Sequence, residues 1–271
     1  MGFEIRTNSS SLNAQRNLHR TNRGLNTNFQ RQSSGFRINN ARDAAAGLII
    51  SNQLSSQLVS LNVGIRNAND GISIAQTADG ALQEVTNILL RSRELALSAA
   101  SGQNSSAART AINAEFQALG TEVSRIAAHT KFGGQSLLAA ETSFEIQSGT
   151  DSGQNISVVT PNVTDIGTAI SAENVLTSEN ASAALDVIDA QLAAVDSVRG
   201  GLGASQNRLS STISNLQNVT ENVSASRSQI RDSDFAAETA NSAKNKILQQ
   251  AGLVILAQAN ISNKAALALL K

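Results

Sequence analysis

The chain has no cysteine, tryptophan or tyrosine, a single proline and only two histidines in 271 residues. Without cysteine there is no disulfide, no thiolate metal site and no thiol nucleophile. His19 and His129 alone do not make a histidine-rich metal cluster. Aromatic residues are 3 % of the chain, whereas Ala (41), Ser (35), Asn (27) and Gln (19) account for 122 of the 271 positions. Such side chains fill narrow seams between long helices and do not supply the bulky centre of an ordinary globular enzyme. No run of about 18 apolar residues exists, so nothing is expected to span a bilayer. The segment from Met1 to Ser10 lacks the apolar core of a cleavable secretory signal, so an exported form is expected to leave by another route.

Charge of either sign is also in short supply, with 21 basic residues against 21 acidic ones. No global excess calls for nucleic acid or an acidic membrane. The distribution is uneven. Residues 1–60 hold seven Arg against Glu4 and Asp43, whereas residues 141–200 hold nine acids against Arg199 alone.

What the sequence does have is period. Steps of seven from Leu54 reach Leu61, Ala68, Ala75, Leu82, Leu89 and Ala96, with Leu58, Ile65 and Ile72 completing a 4-3 spacing. Steps of seven from Ile188 reach Val195, Leu202, Leu209, Leu216, Val223 and Ile230. Each seam covers roughly 60 Å at about 1.5 Å per residue, so the two match in length and are expected to pair. Gly64, Gly71, Gly80, Gly200, Gly201 and Gly203 interrupt them, each at about 1 kcal/mol against Ala in a helix. A turn at Asn69-Asp-Gly71 is the alternative, but the heptad phase is unchanged across it, which favours a continuous helix with close neighbours at the glycines.

A third helix is expected over about 105–129, where Ile112, Phe116, Leu119, Val123 and Ile126 follow the capping candidates Ser105 and Ser106. Beyond Lys131 the period changes to two. Phe144 and Ile146, then Ile156 and Val158, alternate with polar residues around a Gly- and Ser-containing turn, which predicts one hairpin. Residues 160–180 hold Pro161 and no clear period, and read as irregular.

The chain ends contrast. The first 38 residues carry a thin apolar stripe of Ile5, Leu12, Leu18, Leu25, Phe29 and Phe36. Residues 251–257, Ala-Gly-Leu-Val-Ile-Leu-Ala, are apolar around the whole helix circumference and need cover on more than one side. Ordering a terminal residue costs roughly 1.5 kcal/mol in conformational entropy, which one thin stripe does not offset. Both ends are therefore expected to order against copies of the same chain.

No reactive constellation accompanies these helices. His129 has no carboxylate or cysteine arrangement beside it and no His-Glu-x-x-His pattern exists, so it reads as a surface histidine and the chain as a non-enzyme. The acids of 141–200 lack calcium-loop spacing and read as a solvated rim, so no cofactor or metal is expected. Arg6, Arg16, Arg20, Arg23, Arg31, Arg37 and Arg42 come without stacking aromatics, which favours intersubunit pairing and solvated faces over a nucleic-acid arm.

Several segments resemble bacterial flagellin. Toward the amino end these are Ala14-Gln-Arg-Asn-Leu18, Ser33-Ser-Gly-Phe-Arg-Ile-Asn39, Ala44-Ala-Ala-Gly-Leu48, Asn67-Ala-Asn-Asp-Gly-Ile-Ser73, Gln76-Thr-Ala-Asp-Gly-Ala-Leu82 and Arg91-Ser-Arg-Glu-Leu-Ala96. Toward the carboxyl end they are Leu202-Gly-Ala-Ser-Gln-Asn-Arg-Leu209, Ser226-Arg-Ser-Gln-Ile-Arg-Asp232, Leu248-Gln-Gln-Ala-Gly252 and Leu256-Ala-Gln-Ala-Asn260. Gln32, Ala44, Gly133 and the stretch Ile261–Ala265 depart from the family pattern. Resemblance and periodicity together give a mainly α fold: a long antiparallel, coiled-coil-like helical bundle rod with one small β-hairpin, plus paired terminal helices.

The resemblance implies that 1–43 and 232–271 form a filament inner core, with a spoke near 36–46. Residues 44–231 become the rod, with helices at about 44–100, 105–129 and 181–231 and the hairpin and irregular segment at about 131–180. The variable centre is short, from 140 to 180, so no separate outer domain is expected. The inner core would use Leu12, Leu18, Leu25, Phe29, Ile247, Leu253, Val254, Leu256, Ile261 and Leu267. The rod seam would use Leu54, Leu61, Leu82, Leu89, Ile188, Val195, Leu202, Leu209, Leu216 and Val223. The implied partners are a homopolymer, the flagellar type III export apparatus, an export chaperone at the C-terminal helix, and hook-associated and cap proteins. Neither nucleic acid nor membrane insertion is implied. Arg91, Leu95 and Glu115 fall where the resemblance implies contact with a Toll-like receptor, and read equally as pairing and packing residues of a helix face. The functional reading is a filament subunit of the bacterial flagellum for swimming motility. The alternatives are a hook–filament junction protein and a cytosolic signalling coiled coil.

Overall fold

A computed structural model describes residues 7–151 and 153–268, with side chains as far as Ile261. Two compact units divide the chain: Met1–Ser56 with Asn222–Lys271, and Gln57–Glu221. Both heptad stretches are unbroken helices, α2 (Ala45–Ala100) and α5 (Ser178–Arg231), so Asn69-Asp-Gly71 is not a turn.

In the unit 57–221, α2 and α5 run antiparallel. Arg93 Nε donates to Asp189 Oδ1 at 2.7 Å, and further back along α2 Asp79 Oδ1 accepts from Arg199 Nε at 2.8 Å, further forward on α5. Leu61, Leu82, Leu89, Ile188, Val195, Leu202, Leu209 and Leu216 are buried along this seam. Ala68, Ala75, Ala78 and Ala96, interspersed with them, have no exposed surface, and small side chains let the helices approach closely. The third helix, α3 (Ser106–His129), is capped by the Ser105 hydroxyl, which accepts from the Ala108 N–H. It buries Phe116, Val123 and Ala127 against the same core.

The expected hairpin is β3 (Thr142–Gln147) with β4 (Asn155–Thr160), in a register that pairs Phe144 with Val158 and Ile146 with Ile156. It lies against two of the helix glycines. A Cβ on Gly71 would stand 2.9 Å from Ile146 Cγ1 and 3.2 Å from Leu209 Cδ1, and one on Gly64 would stand 2.8 Å from the Ser148 carbonyl oxygen. Close neighbours thus explain these two. Gly80, Gly200, Gly201 and Gly203 meet nothing within 4 Å, so close approach within the chain does not account for them. Gly71→Val is expected to cost about 1–3 kcal/mol by overpacking, read as a lower urea midpoint at unchanged slope.

Two expectations for 131–180 need correction. A second short ladder precedes the hairpin, β1 (Lys131–Phe132) with β2 (Gln135–Ser136), because Gly133 and Gly134 take φ of 56° and 86° and close a tight reversal. The segment read as irregular contains a helix, α4 (Val163–Ala172). The Asn162 side chain caps it by accepting from the Thr164 N–H, and Asp165 sits in its first turn. Val163, Ile166, Gly167 and Ile170 are its buried face. The helix lies close on α3: a Cβ on Gly167 would be 2.9 Å from the Ser124 nitrogen, and one on Gly120 would be 3.2 Å from the Ser171 nitrogen. Each helix offers the other a glycine.

In the other unit, α1 (Ser9–Ser34) and α6 (Phe235–Ala268) pair antiparallel. Asn8 Nδ2 donates to the Ala259 carbonyl, Gln249 Nε2 to Asn22 Oδ1, and Arg31 Nη1 to Glu238 Oε1. Gly35, at φ 72°, ends α1 by donating its N–H to the Arg31 carbonyl. The segment from 35 to 44 then folds onto the end of α5. The Arg37 N–H donates to the Arg231 carbonyl, the Ser233 N–H to the Gly35 carbonyl, and the Arg231 guanidinium sits 4.1 Å above the Phe36 ring.

Candidate self-assembly surfaces

Polar and apolar side chains alternate along the facing seam of the terminal pair. On α1 the 3-4 spacing that meets α6 is Ser11, Ala14, Leu18, Thr21, Leu25 and Asn28, all buried or half-buried. On α6 it is Glu238, Ser242, Asn245, Gln249, Gly252, Leu256 and Ala259, likewise buried or half-buried. The Ser11 hydroxyl donates to Asn260 Oδ1 at 3.0 Å. With its amide turned to suit its neighbours, Asn28 donates to the Gly24 carbonyl and Glu238 Oε2, and accepts from Asn245 Nδ2 and the Ser242 N–H. Buried polar groups are tolerated here because they satisfy one another.

The aliphatic residues lie on the other side. Leu253 is 52 % exposed, Val254 69 %, Ile255 59 %, Ile247 65 % and Ile261 57 %. Leu12 and Phe29 are exposed as well, whereas Leu25 is buried and Leu18 and Leu256 are half-buried. Leu12 and Phe29 sit one residue past Ser11 and Asn28 and so flank the seam rather than fill it. Leu267 lies outside the residues whose side chains are described. A pattern of apolar residues alone does not reveal the polar seam positions, although the 3-4 spacing runs through Ser11, Thr21 and Asn28 without a break.

Of the rod-seam residues, Leu54 and Val223 are half-buried and fall in the unit holding the termini, while the other eight are buried in the unit 57–221. Arg91 and Glu115 stand together at the surface, with Arg91 Nη2 donating to Glu115 Oε1 at 2.8 Å and Nη1 to Glu94 Oε2 at 3.0 Å. The hydrogen bond to Glu115, then that to Glu94, raises the Arg91 pKa above its ordinary value. Leu95 is turned inward and 7 % exposed, so it is not displayed beside them.

Asp43 organises the segment between α1 and α2. Its Oδ2 accepts from the backbone N–H groups of Asn40 and Asn39, at 3.0 and 3.1 Å, and these bonds hold the carboxyl below its ordinary value of 3.8. A depressed folded pKa gives a contribution that is full above the unfolded value and vanishes as pH falls through the folded one. Amide exchange at Asn39 and Asn40 is therefore expected to be pH-indifferent in protection factor above about pH 5 and to lose protection only below about pH 4; loss near neutrality would contradict the assignment.

Among the described residues no helix is long and apolar enough to cross a membrane, and no three His, Cys, Asp or Glu side chains stand together as metal ligands. A helix pair that keeps polar groups in its seam and turns Leu253, Val254 and Ile255 to solvent defines a helical protein with an exposed apolar interaction face. Comparison with known proteins agrees. The model of the bacterial flagellin N-terminal helical region matches residues 5–143, and that of the C-terminal helical region matches 185–270. A flagellin of Halalkalibacterium halodurans is 42 % identical over 275 positions, covering 98 % of this chain and 99 % of that one. Flagellin B of Vibrio anguillarum is 37 % identical over 375 positions, covering both chains completely. A solved Bacillus cereus flagellin aligns with TM-score 0.48 at 26 % identity, over 56 % of this chain and 88 % of that one. The chain belongs to the bacterial flagellin family. It is a subunit of the extracellular flagellar filament, polymerises with itself and serves motility as a structural protein; the junction-protein alternative is not favoured.

Proposed function

We propose that the outward aliphatic face of the α1–α6 pair is the surface through which this chain polymerises, and that its terminal helices become the inner core of the filament. Leu12, Phe29, Ile247, Leu253, Val254 and Ile261 carry that contact, with Leu267 extending it. Leu18, Leu25 and Leu256 join the two helices within one copy. The rod comprises residues 44–231, and the segment near 36–46 is the spoke between rod and core. The termini gain their full order only when neighbouring copies cover them. Contacts between different faces of successive copies do not close, so they propagate an open helical polymer.

The observation that carries this reading is the aliphatic surface of the pair, with Leu253, Val254 and Ile255 turned outward beside a seam that buries Ser11, Asn28, Glu238 and Ser242. An aliphatic face of that size needs a cover. Before assembly the cover is an export chaperone at the C-terminal helix, and passage is through the flagellar type III export apparatus to a growing end held by hook-associated and cap proteins. The chain has no enzymatic activity, and neither nucleic acid nor membrane insertion has a part in its work. Contact with a Toll-like receptor uses Arg91 and Glu115, which stand at the surface, without the inward-turned Leu95. Removing about 20 residues from either end is expected to abolish filaments in electron micrographs while the remainder stays soluble. Efficient filament growth by either truncation overturns the mechanism.

A further inference from the structure

The seam between α1 and α6 offers little by which apolar contact could choose its alignment. Of the thirteen seam positions named above, only Leu18, Leu25 and Leu256 bear a large apolar side chain. Apolar burial is non-directional, and Leu18 and Leu25 stand one heptad apart. A slip of seven residues therefore keeps the seam in phase and puts Leu25 where Leu18 was. That alternative alignment lies about 10 Å away, at about 1.5 Å per residue.

The polar groups do distinguish the two alignments. The bonds of Asn8 to the Ala259 carbonyl, Ser11 to Asn260, Gln249 to Asn22 and Arg31 to Glu238 all belong to a single register. So do the glycine contacts of the seam: a Cβ on Gly252 would stand 3.5 Å from Leu18 Cδ1, and one on Gly24 would stand 3.0 Å from Asn245 Nδ2. The densest cluster lies at the Arg31 end. Glu238 is 7 % exposed, with Arg31 Nη1 on its Oε1 and the Asn28 amide on its Oε2. Asn28, equally buried, also accepts from the Ser242 N–H and Asn245 Nδ2. After a slip of seven residues Glu238 lies either opposite Gly24 and Leu25 instead of Arg31 and Asn28, or beyond Ser34, where α1 has ended. A buried carboxylate stripped of its partners is costly, whereas an intact buried pair adds little net stability, so such a cluster selects an alignment more than it strengthens one.

We propose that Asn28, Arg31 and Glu238 are a register lock, holding α1 and α6 in the one alignment in which the subunit can join a filament. They are positioning residues and act through the helices they align. A slip carries Ile247, Leu253 and Val254 about 10 Å along Leu12 and Phe29, so an incoming copy meets a different surface. The effect on assembly rests on the polymerisation reading above; the lock itself rests on the seam alone.

The chain has no cysteine, so engineered pairs report the alignment without interference. Leu18→Cys/Gly252→Cys reports the native register. Leu18→Cys/Ala259→Cys and Ser11→Cys/Gly252→Cys report slips of seven residues in the two directions. Each pair is oxidised in the full chain with the lock intact and in the lock variant Asn28→Leu/Arg31→Met/Glu238→Leu, and the critical concentration for filaments is measured by sedimentation. With the lock intact, the native pair should close and the slipped pairs should not. In the lock variant a slipped pair should close about tenfold more often, and the critical concentration of the reduced chain should rise about tenfold. Closing the native pair in the lock variant should restore the parental critical concentration, and closing a slipped pair should not. That contrast separates alignment from mere stabilisation of the helix pair, and the recovery shows that the variant folds. The proposal is overturned if slipped pairs close as readily with the lock intact, if the lock variant closes only the native pair or assembles at the parental concentration, or if the closed native pair fails to restore assembly. A parent that forms no filament yet closes only the native pair defeats the polymerisation reading and leaves the lock standing.

Discussion

A chain carrying Leu253→Asp and Val254→Asp is expected to form filaments only at a critical concentration at least a hundredfold above that of the parent. Both side chains are more than half exposed in the single copy, so the substitutions remove little internal contact. Covering their remaining apolar surface at an interface is worth on the order of 1 kcal/mol each, and placing a carboxylate there without a partner costs about 1–3 kcal/mol more. Every 1.4 kcal/mol is about tenfold in association. Urea unfolding should meanwhile be unchanged within about 0.5 kcal/mol, as is usual for surface positions. Normal filament growth by this variant would remove the aliphatic face of α6 from the assembly mechanism.

Phe116→Ala is expected to have the opposite profile, with a large loss of stability in the unit 57–221. Among the described residues Phe116 is the largest wholly buried side chain, and it packs in the cluster that α2, α3 and α5 share with Leu137, Leu138 and Ile170. Truncating such a residue costs about 3–5 kcal/mol, part in lost transfer energy and part in the cavity left behind. For a unit of this size that is roughly 10 °C of melting temperature. Differential scanning calorimetry of the purified subunit measures it, and a shift under 2 °C would mean that α3 contributes little to the core.

The heptads made much of this fold legible. Leu61 to Ala96 and Ile188 to Leu216 sit where a 4-3 spacing puts them, because a long helix with one buried face writes that face into the sequence. The hairpin followed from the alternation of Phe144, Ile146, Ile156 and Val158. Two features stayed hidden for physical reasons. α4 is ten residues long, and its buried face includes Gly167, whose missing side chain is the packing device but leaves a gap in the apolar pattern. The α1–α6 seam is masked by its chemistry: Ser11 is buried with its hydroxyl on Asn260, and Asn28 is buried with Glu238 and Ser242, pairings that hydropathy does not register. The thin apolar stripe read along α1 divides in the fold: Leu18 and Leu25 face α6, whereas Leu12 and Phe29 are exposed and flank the seam.

The turn between β3 and β4 has a practical consequence. Residues 144–184 fall between the two matched regions, and the Vibrio anguillarum alignment runs to 375 positions against 271 here, so that relative accommodates extra sequence on the same scaffold. Within this span Ser148 is pinned on Gly64 and α4 is locked on α3, but Thr150 and Asp151 are open to solvent. A guest peptide spliced between those two positions would hang from the hairpin tip without disturbing either anchor, which makes this loop a natural socket for display of foreign epitopes.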